Sequence, residues 1–211
     1  MRTNVYVDGF NLYYGCLKGT PYKWLDLDAL CARLLPRNQI QRIRYFTAKI
    51  QARPDDPQSP VRQTTYLRAL TTLPQVTVHL GHFLAGTVRM PLAKPQPGGP
   101  KTVEVIKTEE KGSDVNLATH LLADAFRGDA DAFVVISNDS DLKEPMRLVC
   151  HDLGYVVGNI NPQDPAKRSR AIENCKLSFF KQIRTVALRT SQFPLTLTDS
   201  NGRTIRKPAG W

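Results

Sequence analysis

The chain has 211 residues, of which 41% are hydrophobic and 23% are charged, which is the composition of a globular domain with a real core. No apolar run approaches the roughly 18 residues that a membrane-spanning helix needs. The first ten residues, MRTNVYVDGF, do not make a signal peptide, because their apolar stretch is short and contains Asp8. We therefore expect a cytoplasmic protein with no membrane partner.

The net charge of +10 is unevenly distributed. Residues 1–100 and 161–211 are basic, with net charges of +8 and +7, whereas residues 101–160 carry −5. Basic surface attracts polyanions such as nucleic acid, although lysines and arginines also occur simply as solvated surface. The four cysteines are widely spaced without a C-x-x-C pair, so neither a zinc site nor a disulfide framework is expected.

Apolar strands and helices alternate along the chain. Strands are predicted over 4–9, 39–50, 76–90, 102–111, 132–139 and 155–162. Helices are predicted over 25–36, 59–74, 113–128, with Ser113 as its N-cap, 140–154 and 166–183, the last one basic. A hairpin is predicted around Asn201-Gly202. This alternation indicates a mostly parallel sheet with helices on both faces.

Four carboxylates are predicted to meet at one edge of that sheet. Asp8 follows the first strand, and Asp139 and Asp141 follow the strand over 133–137. Asp114 begins a helix and lies on the same stripe as its buried leucines, so it faces the sheet. Ligands of such sheets bind outside the carboxyl ends of the strands, which makes this edge the candidate site.

Four carboxylates at one edge repel each other unless a cation neutralises them, and Mg²⁺ or Mn²⁺ prefers oxygen ligands. Gly9 allows a sharp turn after Asp8, and Asn11 can then position a ligand, a water or Asp8 itself. Each group also has a simpler interpretation: Asp8 as a helix cap, Asp114 as a helix-start residue, and the SNDSD stretch as a turn. The sequence lacks a G-x-G-x-x-G motif and a phosphate-binding P-loop.

The stretches VYVDGFNLYYG, EKGSDVNLATHLLADAF and VVISNDSDL, in this order and spacing, resemble the NYN domain, a family of the PIN-like nuclease superfamily. The resemblance covers about residues 3–160. It implies a Rossmann-like three-layer α/β/α sandwich with a mostly parallel central sheet, and metal-dependent endoribonuclease chemistry. We divide the chain accordingly into a nuclease domain, 1–165, and a basic helix and hairpin tail, 166–211, packed on the same domain.

The resemblance also implies roles for individual residues. The metal-binding, catalytic set comprises Asp8, Asp114, Asp139 and Asp141, and Asn11 is its polar partner. Lys111 matches the lysine of the family's K-G-x-D pattern. The acidic residue that many members carry further along the middle helix is unclear here, where the positions are His120 and Asp124, and both are left out of the set.

The expected reaction is hydrolysis of RNA that leaves 5′-phosphate and 3′-hydroxyl ends. Two groups of residues would bind the RNA. Lys111, Ser137 and Asn138 would contact the phosphate, and Lys176, Lys181 and Arg184 would hold the RNA strand electrostatically. The alternatives are a binding module for RNA or protein with negligible turnover, and a metal-dependent phosphatase or deoxyribonuclease. The hairpin could also contact a second copy of the chain or a partner protein.

Overall fold

The computed structural model describes residues 1–52 and 54–211. The strands are β1 (Arg2–Asp8), β2 (Gln39–Ala48), β3 (Val76–Pro91), β4 (Thr102–Lys111), β5 (Ala132–Ile136), β6 (Val156–Asn161), β7 (Phe179–Gln182), β8 (Thr196–Thr198) and β9 (Thr204–Arg206). The helices are α1 (Gly9–Leu12), α2 (Leu27–Leu34), α3 (Ser59–Leu70), α4 (Ser113–Phe126), α5 (Lys143–Arg147), α6 (Arg170–Glu173) and α7 (Thr185–Thr190). Wider π-helical turns continue α1 and α5, over Tyr13–Leu17 and Leu148–Asp152. None of the described helices is long and apolar enough to cross a membrane.

Seven strands form the central sheet in the order β4-β3-β2-β1-β5-β6-β7. Neighbouring strands are parallel except for β3 and β4, which pair antiparallel. The expected α/β fold with a mostly parallel sheet is therefore confirmed. Because β1 and β5 are adjacent in the middle of the sheet, their carboxyl ends lie side by side.

The core consists of two apolar layers, one on each face of the sheet. Along β1, Val5 and Val7 point into one layer and Tyr6 into the other, and all three are buried. This alternation between two buried faces explains why the strand has an almost continuous apolar sequence. Helices α2 and α3 cover the first layer, and α4 and α5 cover the second.

The prediction of a basic helix over residues 166–183 is wrong. The segment instead forms a 3₁₀ turn at Pro165–Lys167, the short helix α6, and the edge strand β7. Lys176 adopts a positive φ of 50°, which ends the helical path. The Phe179 ring then lies over Gly158 of β6, where a Cβ atom would be only 2.1 Å from the ring. Pairing with an open sheet edge thus outweighs the helical spacing of the apolar residues.

The hairpin predicted around Asn201-Gly202 is present as β8 and β9. Ile205 is buried in the first core layer, and Asp199 forms an ion pair with Arg68 of α3 (2.9 Å). One face of the hairpin is therefore occupied by contacts within the chain.

Candidate metal centre

Asp8 ends β1 and caps α1 at the same time. Its Oδ1 accepts a hydrogen bond from the Asn11 N–H, and its Oδ2 accepts one from the Ser137 hydroxyl, both at 2.9 Å. The next residue must be glycine, because a Cβ at Gly9 would lie 2.7 Å from the carbonyl oxygen of Phe46. The cap interpretation of Asp8 is thus correct, but it accounts for only part of its contacts.

Asp139 follows β5 and reaches the same edge. Ser137 fixes its backbone, because the Ser137 Oγ accepts a hydrogen bond from the Asp139 N–H (3.0 Å) while it donates to Asp8. Ser137 is fully buried. Ser137 was predicted at the phosphate; it lies instead between two carboxylates, where it holds both in position.

Asp114 lies in the first turn of α4, and a glutamate missed by the sequence analysis organises that turn. Gly112 precedes the helix with φ of 97°, a conformation that favours glycine. Glu110 accepts hydrogen bonds from the Ser113 N–H (3.1 Å) and the Ser113 hydroxyl (2.7 Å). Gly112 is therefore the N-cap residue, Glu110 supplies the side-chain acceptor from two residues before it, and the expected N-cap Ser113 is instead the first residue of the helix. An acidic residue three positions before a helix start is a signal that could have identified it.

The three carboxylates of Asp8, Asp114 and Asp139 come together. Each offers an oxygen, and these atoms all lie within 4.8 Å of one another. Burial, followed by the charges of Asp8 and Asp139, raises the pKa of Asp114 to about 6. Burial also raises the pKa of Asp8, against the opposing effect of its hydrogen bonds. The ionised forms of these carboxylates are therefore destabilised. A hard divalent cation, which prefers oxygen ligands, would stabilise them.

Asp141, the fourth predicted ligand, is not part of this group. It lies exposed on the short 3₁₀ turn after β5, and its N–H donates to Asp139 Oδ1 (3.0 Å). Its charge contributes to the raised pKa of Asp114, so it is close enough to act electrostatically.

Two of the expected phosphate contacts have other partners. Lys111 forms an ion pair with Glu109 (3.1 Å) on the face of β4 opposite to Glu110, because successive strand residues point to opposite faces. Asn138 uses both ends of its side chain to hold the segment that follows β6, donating to the Lys167 carbonyl (2.8 Å) and accepting from the Ser169 N–H (2.7 Å). Lys111 lies away from the carboxylates, and both ends of the Asn138 side chain already have a partner within the chain.

Asn11 connects the loops at the site. Its Oδ1 accepts hydrogen bonds from the Asn138 N–H (3.0 Å) and from Gln163 Nε2 (3.4 Å). The segments that follow β1, β5 and β6 thus meet at the side-chain amide of Asn11. Asn11 is therefore a positioning residue for the site.

The basic residues of the C-terminal segment are exposed but do not share one helical face. Lys181, on β7, donates to the Leu34 carbonyl (2.5 Å) and lies over the Phe179 ring. Lys176 lies in the turn before β7, and Arg184 precedes α7.

The carboxylates open into a cleft of about 410 Å³. Three aromatic residues line it: Phe10, Tyr14 and Phe83. Phe10 and Phe83 pack edge to face, with ring centroids 5.8 Å apart, and Tyr14 is 53% exposed. The sequence, with an aromatic content of 8%, gave no indication of these rings, which come from α1, from the π-helical turn after it and from β3.

Comparison with known proteins places this arrangement in a family. Residues 2–184 match the NYN domain. The 6-hydroxy-3-succinoylpyridine 3-monooxygenase HspA of Pseudomonas putida is 31% identical over 239 aligned positions, which cover all of this chain and 75% of that protein.

A crystal structure of a protein of unknown function, VPA0982 from Vibrio parahaemolyticus, superposes with a TM-score of 0.57. The match has 16% identity and covers 87% of this chain and 93% of that one, so it bears on the fold. The NYN family has a PIN-like, nuclease-type fold, and together with the partly buried acidic cluster it suggests the use of a divalent metal. The chain belongs to the NYN domain family.

Proposed function

We propose that this protein is a metal-dependent endoribonuclease. The observation that carries the proposal is the group of three carboxylate oxygens within 4.8 Å of one another, at the carboxyl edge of a nuclease-type sheet. Membership of the NYN family implies RNA as the substrate, and the net charge of +10 favours the binding of a polyanion.

Asp8, Asp114 and Asp139 would hold Mg²⁺ or Mn²⁺, with Asp141 close enough to contribute through its charge or a bridging water. The cation would lower the pKa of the attacking water and neutralise charge on the phosphate. Because water and not the ribose 2′-hydroxyl attacks, the products would carry 5′-phosphate and 3′-hydroxyl ends.

The remaining residues of the site position this group. Ser137 keeps Asp8 and Asp139 at a fixed separation through its two hydrogen bonds. Asn11 joins the loops, and Glu110 fixes the first turn of α4, which carries Asp114. Fixed ligands lose little entropy when a cation binds, which favours binding.

Exposed basic side chains outside the cleft would hold the RNA strand. Lys176, Lys181 and Arg184 remain proposed contacts for this purpose, now as separate surface positions. Replacing all three with Gln should weaken RNA binding for all sequences alike and flatten its salt dependence, because fewer counterions are released. Unchanged affinity and salt slope would show that these charges only solvate the surface.

The test is turnover by the purified chain on single-stranded RNA, duplex DNA and a phosphate monoester, each in Mn²⁺, in Mg²⁺ and in EDTA. We expect cleavage of RNA with either metal, none in EDTA, and products that a 5′-phosphate-dependent exonuclease degrades. RNA binding without turnover would instead identify a binding module, and preference for either other substrate would identify a deoxyribonuclease or a phosphatase.

A second candidate function follows from the name of the Pseudomonas putida relative, which describes a monooxygenase that acts at position 3 of a substituted pyridine. The aromatic residues around the cleft favour it, because they could contact a flat ring. Such a reaction needs dioxygen and a reductant. Consumption of dioxygen that depends on both 6-hydroxy-3-succinoylpyridine and an added reductant, together with no RNA cleavage, would decide for this alternative.

A further inference from the structure

A second pocket of about 240 Å³ adjoins the acidic cleft. The two cavities share Phe10, Tyr14 and Ile50 as a common wall. Six aromatic side chains line the second pocket: Phe10, Tyr13, Tyr14, Tyr45, Tyr66 and Trp211. We call it the aromatic pocket.

The rings of the aromatic pocket stand at steep angles to one another. Tyr13 and Tyr14 have centroids 5.2 Å apart at 81°, and Tyr66 contacts both Tyr45 (6.3 Å, 85°) and Trp211 (5.6 Å, 60°). Such a cage offers ring faces and ring edges to a flat guest. Its volume is below the roughly 300 Å³ at which pockets for drug-sized ligands begin, which suits a single heterocycle.

Two hydroxyl groups in the aromatic pocket lack hydrogen-bond partners within residues 1–52 and 54–211. Tyr45 is 7% exposed and Thr47 is 2% exposed, and both line the pocket. The neighbouring Tyr66 hydroxyl, by contrast, donates to the Leu25 carbonyl (2.9 Å). Neither oxygen belongs to the fully enclosed side-chain atoms without a partner, so both are open to the cavity, where a ligand or a water can bond to them.

The charges around the aromatic pocket favour an anionic guest on its outer side. The Lys18 ammonium lies 5.1 Å from the centre of the Tyr14 ring, and Lys23 lines the same pocket. Of the two carboxylates in the wall, Asp56 is already paired with Arg62, which leaves Asp55. A phosphate next to a ring bound in the pocket would therefore meet two lysines.

We propose that the aromatic pocket binds one unstacked nucleobase of the RNA, adjacent to the phosphate that is cut, and thereby selects single-stranded RNA. The inference rests on the proposed function. A base in a duplex is stacked and paired, so it cannot enter a cage of rings without the helix being opened first. Tyr14 forms the platform between the two cavities, and the Tyr45 and Thr47 hydroxyls bond to the edge of the base.

The experiment measures binding without cleavage, using the full chain with Asp139→Asn in Mg²⁺. The probes are a fluorescein-labelled single-stranded RNA of mixed sequence and the same strand annealed to its complement. Tyr14→Leu removes an exposed ring, and Tyr45→Phe removes only a hydroxyl. Tyr155→Phe is the matched control, because Tyr155 packs against Phe133 in the other core layer (5.1 Å).

We expect the Asp139→Asn chain to bind the single strand at least about tenfold more tightly than the duplex. Tyr14→Leu should lower single-strand affinity about tenfold, within the range for loss of one base–aromatic stack, and leave duplex affinity unchanged. Tyr45→Phe should lower it about threefold, the effect of one lost neutral hydrogen bond. Tyr155→Phe should change neither affinity.

Unchanged single-strand affinity in both pocket variants, while the wild-type chain still cleaves RNA in Mn²⁺, would overturn the inference and leave the proposed function standing. A wild-type chain that neither binds nor cuts RNA would overturn both. Tight binding of 2-hydroxypyridine without binding of the labelled RNA would also overturn the nucleobase assignment, since the pocket would then belong to a small ring substrate.

Discussion

Helix α4 has an acidic centre at each end, one partly buried and one fully buried, and the two differ in how their charge is compensated. At its first turn, Asp114 meets Asp8 and Asp139, with no cation among the described side chains in contact with the three. Ten residues later, Asp124 is fully buried, yet Arg44 donates two hydrogen bonds to it (2.8 and 2.9 Å) and the Tyr6 hydroxyl donates a third (2.7 Å).

The pKa shifts of the two centres have opposite signs. Burial acts to raise the pKa of Asp124, but the hydrogen bonds from Arg44 and Tyr6 outweigh it, and the pKa is lowered. For Asp114, burial and neighbouring carboxylates act together, and its pKa rises to about 6. Burial of a carboxylate therefore does not identify a functional site by itself; the missing counter-charge does. Asp124 belongs to a structural ion pair, which explains why the middle helix has no further ligand at this position.

The largest effect should come from Asp8→Asn. We expect the rate of RNA cleavage in Mn²⁺ to fall about a thousandfold or more, at the upper end of the roughly 10²–10³-fold cost of losing one transition-state-stabilising group. Stability measured in EDTA should hold or rise, because one of three repelling charges is gone. Cleavage assays and thermal unfolding in EDTA provide the two measurements.

Asp131→Asn is the matched control for that variant. Asp131 lies at the amino end of β5, away from the carboxylates at the carboxyl ends of the strands, and it pairs with Arg2 (2.8 Å). Cleavage should therefore be unaffected. Retained activity in Asp8→Asn together with lower stability in EDTA would mean that Asp8 is only a helix cap.

The next largest effect concerns the compensated centre. Asp124→Asn leaves the Arg44 guanidinium without its counter-charge, and we expect the free energy of unfolding to fall by about 3 kcal/mol, as for other broken buried pairs. Cleavage per folded molecule should not change. Asp129→Asn, which breaks only a partly exposed pair with Arg42, should cost less than about 1 kcal/mol. Loss of activity without loss of stability in Asp124→Asn would contradict the distinction between the two centres.

A smaller effect should appear in the pH dependence of stability. A carboxyl whose pKa is raised in the folded state binds more protons than in the unfolded chain, so stability in EDTA should fall as pH rises from about 4 to 7. For Asp114 we expect a loss of about 1–2 kcal/mol after solvent screening is allowed for. Mn²⁺ should remove this loss of stability, because it favours the ionised form of Asp114.

Asp114→Asn tests the origin of this slope. Chemical unfolding at pH 5 and pH 7 in EDTA should show a smaller difference for the variant than for the wild-type chain. An identical difference in both would mean that Asp114 titrates near its ordinary pKa.

The smallest effect is expected for Glu110→Gln. Gln can still accept the hydrogen bond from the Ser113 N–H, so the cap is kept while one negative charge beside Asp114 is lost. Affinity for Mn²⁺ should fall about tenfold, the low end for outer partners of metal ligands. Titration of Mn²⁺ against protein fluorescence measures it. Glu109→Gln, on the other face of β4, is the control, and an equal loss there would show a general charge effect.

Sequence patterns predicted the parts of this protein that depend on local order along the chain. Asp8 and Asp139 each follow an apolar strand, and the parallel arrangement brings the two strand ends together. The stripe of Leu117 and Leu121 placed Asp114 facing the sheet. In these cases a short segment and the general geometry of α/β sheets carry enough information.

The parts that the sequence analysis missed depend on contacts between distant segments. The edge strand β7 forms because Gly158 leaves room for Phe179. Lys111 was expected at the phosphate, and its direction was decided by the pairing of β3 with β4. No local pattern records which residues a sheet edge will accept.

By itself, the sequence determined the alternating fold and the meeting of Asp8, Asp114 and Asp139, because periodicity and strand ends are local properties. Only the tertiary structure decided which buried acid is compensated and which is not, since Arg44 and Tyr6 reach Asp124 from strands 80 and 118 residues away in the chain. It also decided that rings from α1, β2 and α3 enclose a pocket beside the carboxylates. Charge compensation and cavity shape are sums over the packed molecule, and no single segment contains them.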